Sequence, residues 1–178
     1  MSSVQDRRAA RQIESAIARD QWETARRLIR RWLRRSPNDH WLLTRLALTY
    51  YEERRYQTAL KYELRALQSA PYCPLVIWDY AGTLDMLGRR KEALKLFKWL
   101  TSWGEDELAY GDCGEGIRAA RSMIADCHYR IARIFEKQGQ RKKAVAAYKE
   151  HLSRRTRGTR SIYPLSEVKR RLTALCSG

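Results

Sequence analysis

Three stretches with one pattern decide the fold: ETARRLI at 23–29, QTALKYE at 57–63 and KEALKLF at 91–97. Each stretch has an alanine at its third position, and these alanines, Ala25, Ala59 and Ala93, follow one another at a constant interval. A fixed period is typical of repeat architectures, in which each unit buries its apolar face against its neighbours. A small residue suits the point where two antiparallel helices cross closely. The sequence therefore predicts stacked pairs of helices.

The residues around these alanines resemble the tetratricopeptide repeat family, whose pattern places large, small and aromatic residues, an alanine and a proline at fixed offsets. Glu63 departs from the pattern, because the family usually has an aromatic residue at that place. In the second unit the matching residues are Leu43, Leu46, Ala47, Tyr50, Tyr56, Ala59, Ala66 and Pro71. In the third unit they are Ile77, Tyr80, Ala81, Leu84, Gly88, Ala93 and Phe97.

The resemblance implies an all-α protein: an α-solenoid, that is, a right-handed superhelix of antiparallel helix pairs, with a C-terminal capping helix. Ala144 follows Ala93 at one and a half times the repeat period, so an insertion of half a period precedes the last repeat. We expect a single domain over residues 1–178. Its predicted parts are repeats at about 6–39, 40–73, 74–107 and 125–158, an insertion at about 108–124 and a capping helix at about 164–176.

The family implies a non-catalytic scaffold or adaptor that binds a peptide or helix of a protein partner in its concave groove. First-helix positions that do not point into the stack should line this groove. In one interpretation Trp41 and Trp78 only pack within the scaffold; in the other they form an aromatic anchor pocket beside basic residues. The groove positions are Trp41, Thr44, Arg45, Leu48, Tyr51, Trp78, Asp79, Asp85, Tyr129, Arg130 and Arg133.

Arginine dominates the charge of the chain, which has 36 Lys and Arg against 20 Asp and Glu and a formal net charge of +16. Both ends are basic, whereas residues 39–136 are balanced. Such runs are either solvated helix faces or an alternative binding surface for RNA, DNA or an acidic surface. The candidates are two columns predicted on the convex side, Arg26, Arg30, Arg34 and Arg27, Arg31, Arg35, and the C-terminal Arg154, Arg155, Arg157 and Arg160.

Motifs of known catalytic sites are absent from the sequence, and we expect neither an enzyme nor a bound cofactor. No metal site is predicted, because consecutive helical residues such as Asp126, Cys127 and His128 point in different directions. The cysteines have no CxxC spacing, which favours reduced thiols in a cytoplasmic protein. No apolar run is long enough to span a bilayer. A monomer is favoured.

The glycine-rich stretch GDCGEG at 111–116 lies within the predicted insertion. A phosphate-binding loop normally follows a strand and has a basic residue close by, whereas this stretch follows a predicted helix and is acidic. We therefore interpret it as the connector to the last repeat. It is either a solvated link or a segment that docks on the arginines of the molecule.

Overall fold

A computed structural model describes residues 4–156 and 158–177, and all regular secondary structure within these residues is helical. The helices divide into two compact units, with the boundary between Leu87 and Gly88. That the chain works as a single domain stays a prediction. The first unit contains α1 (Val4–Ile17), α2 (Trp22–Leu33), α3 (His40–Glu52), α4 (Tyr56–Ser69) and α5 (Pro74–Met86).

The first unit is built around the alanines of the period. Ala25 of α2 and Ala59 of α4 are completely buried, and they share one apolar cluster with Ile13, Ile29 and Leu46. Because alanine has the smallest side chain that still favours a helix, the paired helices approach closely at these points. The short connections between α1 and α2 and between α3 and α4 give antiparallel neighbours.

The repeat period is also visible in the backbone. Asp20, Arg54, Gly88 and Gly139 each have a positive φ, of 56°, 59°, 80° and 69° respectively. The first three positions have the same spacing as the alanines, and the fourth follows at the longer interval of the last repeat. A residue in this left-handed conformation lets the chain turn sharply out of a helix. The turn is therefore kept from repeat to repeat, although Asp20 and Arg54 have a Cβ that makes this conformation costly.

In the described residues of the second unit the helices are α6 (Arg90–Ser102), α7 (Gly104–Tyr110), α8 (Ile117–Lys137), α9 (Arg141–Arg154) and α10 (Leu165–Ser177). The long helix α8 packs against α6, α7 and α9. Ala93, Ala132 and Ala144 are completely buried, as are the rings of Phe97 and Tyr148. In contrast, α10 has one fully buried residue among those described, Val168, and polar contacts also join it to α8.

The connector between α7 and α8 coincides with the glycine-rich stretch. Gly116 has a φ of 87° and comes directly before α8, and its N–H donates to the carbonyl of Ala109 at 3.1 Å. A Cβ at Gly114 would lie 2.3 Å from that same oxygen, which no side chain can tolerate. Glycine is therefore required here for a close backbone turn.

Candidate functional site

A stripe of four predicted groove residues runs along α3 in the first unit. Trp41, Arg45, Leu48 and Tyr51 follow at spacings of three and four, which places them on one face of the helix. All four are partly exposed, and both aromatic rings rest on the core of this unit. We call these four residues the α3 stripe.

Electrostatic contacts hold the centre of the α3 stripe in place. The Arg45 Nε donates to Glu14 Oε1 of α1 at 2.6 Å, and the guanidinium lies 5.4 Å from the centre of the Trp41 ring. At the end of the stripe the ring of Tyr51 meets the ring of Tyr56 edge-on at 5.3 Å. Three of the four stripe side chains, Trp41, Arg45 and Tyr51, are thus positioned by contacts with other residues of the protein.

Two other predicted groove residues of the first unit are in the interior. Thr44 is 1% exposed, and its hydroxyl donates to the carbonyl of His40 at 2.7 Å. Asp85 is 3% exposed. Neither offers a surface to a partner, since each lies on the side of its helix that faces the core. Trp78 and Asp79 of α5 are partly exposed.

The interior of the first unit also contains the carboxyl group of Glu63. Glu63 of α4 is 2% exposed, and Thr83 of α5 donates to its Oε1 at 2.6 Å. Burial raises the pKa of Glu63 to about 8, and the nearby charge of Asp79 acts in the same direction, while the hydrogen bond from Thr83 opposes the rise. Glu63 is therefore a neutral acid over most of the physiological range.

Two of the predicted groove residues of the second unit, Tyr129 and Arg130, contact the C-terminal segment, residues 158–177. Tyr129 is 4% exposed; its ring stacks on Tyr163 at 3.7 Å, and its hydroxyl donates to Glu167 Oε1 at 2.7 Å. The guanidinium of Arg130 lies 5.8 Å from the centre of the Tyr163 ring. Burial and the bond to Glu167 raise the pKa of Tyr129.

The segment before α10 is tied to the same side of α8. The carboxyl of Asp126 accepts from Ser161 Oγ at 2.5 Å and from the N–H of Ile162 at 3.1 Å. Further along, Arg171 of α10 donates to Glu136 of α8 at 3.1 Å, and Arg133 lies 3.4 Å from the same carboxylate. The bonds between α8 and this segment join residues far apart in the chain, so no local sequence signal predicts them.

Most arginines of α2 lie on the surface, but Arg26 is 6% exposed. Its guanidinium binds both carboxylate oxygens of Glu53 at 2.8 and 2.9 Å and stacks on Tyr50. Arg26 is therefore part of the packing between α2 and α3, in contrast to the predicted convex surface. Arg30 donates to the Tyr50 hydroxyl at 2.7 Å and lies 3.6 Å from Glu23.

Four further arginines are exposed: Arg27 and Arg31 of α2 and, just after the helix, Arg34 and Arg35. Arg35 lies over the ring of Trp32, 5.2 Å from its centre. Within the described part of the chain, Arg27, Arg31 and Arg34 form no ion pair, because the nearby Glu23 and Glu53 bind other arginines. We call these three side chains, which lie exposed on and just after α2, the exposed column.

The C-terminal arginines have different environments. Arg154 pairs with Glu150 at 2.8 Å, and Arg155 donates to the carbonyl of Tyr163 at 2.7 Å. The backbone N–H of Arg160 donates to Ser122 Oγ at 3.0 Å, while its side chain is exposed. Arg157 lies outside the described residues. Two of the predicted C-terminal anion contacts, Arg154 and Arg155, thus bind groups of the protein itself.

Comparison with known proteins identifies the repeat. Residues 127–161 match the model of the tetratricopeptide repeat. No curated protein matches the sequence. No helix in the described ranges is both long and apolar enough to cross a membrane.

Solved structures share the fold at low identity. MamA from Desulfovibrio magneticus RS-1, residues 41 to the end, is 15% identical with a TM-score of 0.65, and the match covers 87% of this chain and 78% of that one. TTC0263, a thermophilic tetratricopeptide repeat protein of Thermus thermophilus, is 14% identical with a TM-score of 0.65, covering 92% and 77%. MamA AMB-1 is 22% identical with a TM-score of 0.57, covering 80% and 74%. The predicted repeat resemblance and the all-α solenoid class are confirmed.

Proposed function

We propose that this chain is a non-catalytic scaffold for a protein partner. The premise is that residues 127–161 match a tetratricopeptide repeat and that the chain has the fold of such proteins. The fold supports protein interaction in general. The more specific proposal is that a peptide or helix of the partner binds on the α3 stripe.

One observation carries this proposal: the α3 stripe presents two aromatic rings, an aliphatic side chain and a guanidinium on one helix face, and its rings rest on a buried core. Binding energy in protein interfaces is concentrated in Trp, Tyr and Arg side chains that are already ordered. A partner helix with apolar residues at similar spacings fits such a surface. The Nε of Arg45 binds Glu14, and its terminal N–H groups can donate to a polar group of the partner.

Contacts within the second unit are a reason to place the partner on the first unit. Its Tyr129 is covered by Tyr163 and bound to Glu167, so the C-terminal segment takes the contacts that a partner would make there. We therefore assign the partner-binding role to Trp41, Arg45, Leu48 and Tyr51, and we include the partly exposed Trp78 and Asp79 of α5.

Site-specific crosslinking tests this proposal. A photoreactive residue at Leu48 should crosslink to a protein that the same residue at Leu64, an exposed position on α4, does not capture. The captured protein is then purified and its affinity measured. Trp41→Ala should weaken binding at least about tenfold, as is usual for a central aromatic anchor. Leu48→Ala provides a second variant in case Trp41→Ala unfolds, because it leaves the ion pair of Arg45 with Glu14 intact.

Equal capture from Leu48 and Leu64, or unchanged affinity of both folded variants, would refute the α3 stripe as the site. Leu64→Ala is the matched control, because it removes an exposed leucine away from the stripe. It should bind like the unmodified protein.

A second candidate function is the binding of RNA or DNA by the exposed column Arg27, Arg31 and Arg34. The observation in its favour is that these arginines form no ion pair within the described residues. Affinity for a single-stranded oligonucleotide should fall with salt, at a slope of about 0.7 per neutralised phosphate. Replacing all three by Gln should lower the slope by about 2. An unchanged slope would exclude this column.

The proposal also covers the cellular compartment and the oligomeric state of the protein. The four cysteines, all within the described residues, are thiols rather than disulfides. Thiols fit the reducing conditions of a cytoplasm. We propose a cytoplasmic monomer. Size-exclusion chromatography with light scattering tests the oligomeric state, and cell fractionation tests the location.

A further inference from the structure

The first unit contains a basic cleft of about 500 Å³ between α1 and α2. Three arginines line it, Arg8, Arg11 and Arg19, together with the hydroxyl residues Ser15 and Thr24 and two glutamines. None of its lining residues is acidic or aromatic. Every polar side chain in the lining can donate a hydrogen bond, which is the chemistry that an anion requires.

Helix α1 and the turn after it set the positions of the residues that line the cleft. Arg8, Arg11, Ser15 and Arg19 follow along α1 and its C-terminal turn at spacings of three and four, so they share one side of the helix. After α1 the chain turns at Asp20, whose φ is 56°. The N–H of Gln21 then donates to the carbonyl of Ala16 at 2.9 Å. This bond fixes the end of the cleft that carries Arg19.

Two neighbouring carboxylates bind elsewhere. Glu14 of α1 binds Arg45 of α3, at 2.6 Å. Glu23 of α2 binds Arg26 at 3.0 Å and lies 3.6 Å from Arg30. In the residues that the structure describes, none of the three cleft arginines forms an ion pair. Their positive charges are therefore not neutralised by these two carboxylates.

We propose that this cleft binds a compact phosphate anion of high charge, the pyrophosphate or tripolyphosphate group. Planar guanidinium groups bind phosphate oxygens through two parallel hydrogen bonds, and three of them line one cleft. The hydroxyl and amide groups supply further donors. Because the lining offers no aromatic ring and its guanidinium groups are bound by the phosphate oxygens, no platform is left on which a nucleobase would stack. The site is separate from the α3 stripe, so it goes beyond the proposed scaffold function.

Calorimetric titration with sodium tripolyphosphate at low salt tests the proposal. The cleft variant combines Arg8→Gln, Arg11→Gln and Arg19→Gln. The matched control combines Lys142→Gln, Lys149→Gln and Arg170→Gln, which removes the same charge from exposed positions of α9 and α10. The cleft variant should lose at least about tenfold in affinity, since a hydrogen bond to a charged group contributes that much, and the control should lose about threefold or less.

Further arms identify the source of the phosphate group. Tripolyphosphate should bind more tightly than orthophosphate, because it has more charge and more acceptors. ATP without magnesium should bind no more tightly than tripolyphosphate, since the adenine finds no partner. A single-stranded oligonucleotide should compete only weakly at equal phosphate concentration, because its phosphates are spread along a chain and carry one charge each.

Four results would overturn the proposal: no binding of tripolyphosphate by the unmodified protein, equal losses in the two variants, tighter binding of ATP, or equal competition by the oligonucleotide. Circular dichroism checks that both variants fold, as we expect for exposed side chains. If the cleft variant unfolds, the corresponding triple Arg→Lys variant decides instead. It keeps the charge but lacks the planar fork, so unchanged affinity for tripolyphosphate would contradict the proposed recognition.

Discussion

The contribution of Glu63 to stability should fall as the pH rises from 5 to 8. The carboxyl of Glu63 is 2% exposed and keeps its proton in the folded state, because burial raises its pKa from 4.5 to about 8. In the unfolded chain the same carboxyl is hydrated and loses its proton near pH 4.5. Between these two values the folded state binds one proton more than the unfolded state, so stability falls as the pH rises.

The size of the effect follows from the shift. Each unit of pH between the unfolded and the folded pKa removes about 1.4 kcal/mol, so the interval from pH 5 to 8 removes about 4 kcal/mol. This is a large part of the net stability of a typical domain, which is on the order of 10 kcal/mol. The Oε2 atom of Glu63 has no hydrogen-bond partner within the described residues, so one hydrogen bond, from Thr83, is available to offset the cost of ionisation.

The variant Glu63→Gln isolates this effect, because its side chain has nearly the same shape and does not titrate. Its amide oxygen can still accept from Thr83. The free energy of unfolding in urea is measured at pH 5, 6, 7 and 8 for both proteins. Relative to the unmodified protein, the variant should gain about 4 kcal/mol between pH 5 and pH 8. Glu52→Gln, at an exposed position of α3, is the control and should show no such gain.

Parallel stability curves of Glu63→Gln and the unmodified protein between pH 5 and 8 would refute the reasoning. A second measurement is independent of unfolding: the carbon chemical shift of the Glu63 carboxyl should titrate near pH 8. A midpoint near the ordinary value of 4.5 would mean that water reaches this carboxyl. It would then not be a neutral buried acid.

Three further predictions concern other sites. Tyr129→Phe removes the hydrogen bond to Glu167, and it should destabilise α10 by about 1 kcal/mol and speed amide hydrogen exchange in residues 165–177; unchanged exchange would contradict a role of this bond in holding α10. His151 is completely buried, and its Nδ1 donates to the carbonyl of Ala125 at 2.7 Å. Because burial lowers the pKa of His151, the stability of the protein should fall as the pH drops below the pKa of about 6.5 that this residue has in the unfolded chain. His151→Gln should reduce that fall in urea titrations, and an equal fall would argue against His151 as its source. Arg54→Gly should raise the free energy of unfolding by a few tenths to about 1 kcal/mol, because Arg54 has a φ of 59°; a lower stability would show that its side chain contributes more than the strain costs.

The departure of Glu63 from the family pattern was visible in the sequence, but its consequence was not. The repeat offset alone predicts a position inside the stack. Whether a carboxyl there is paired, hydrated or neutral depends on the residues that surround it from other helices, namely Thr83 and Asp79 of α5. No pattern within α4 contains that information.

The candidate site was predicted only in part, for the same reason. The α3 stripe follows from helical spacing, and its residues are partly exposed as a binding face requires. Thr44 and Asp85 satisfy a similar spacing but are buried. Spacing gives the angle of a side chain around its own helix, whereas exposure depends on what packs against that angle.

The sequence by itself determined the helical pairs and the places of their turns. These follow from the repeat period and from residues that are close together in the chain, and the positive φ at Asp20, Arg54 and Gly88 recurs with the same period. The tertiary structure decided which charges are neutralised. Arg26 meets Glu53 and Arg45 meets Glu14 across long stretches of sequence, while the cleft arginines of α1 and of the turn after it form no ion pair in the described part of the chain. An ion pair needs two side chains within about 4 Å, and only the packed helices bring residues so distant in sequence to that separation.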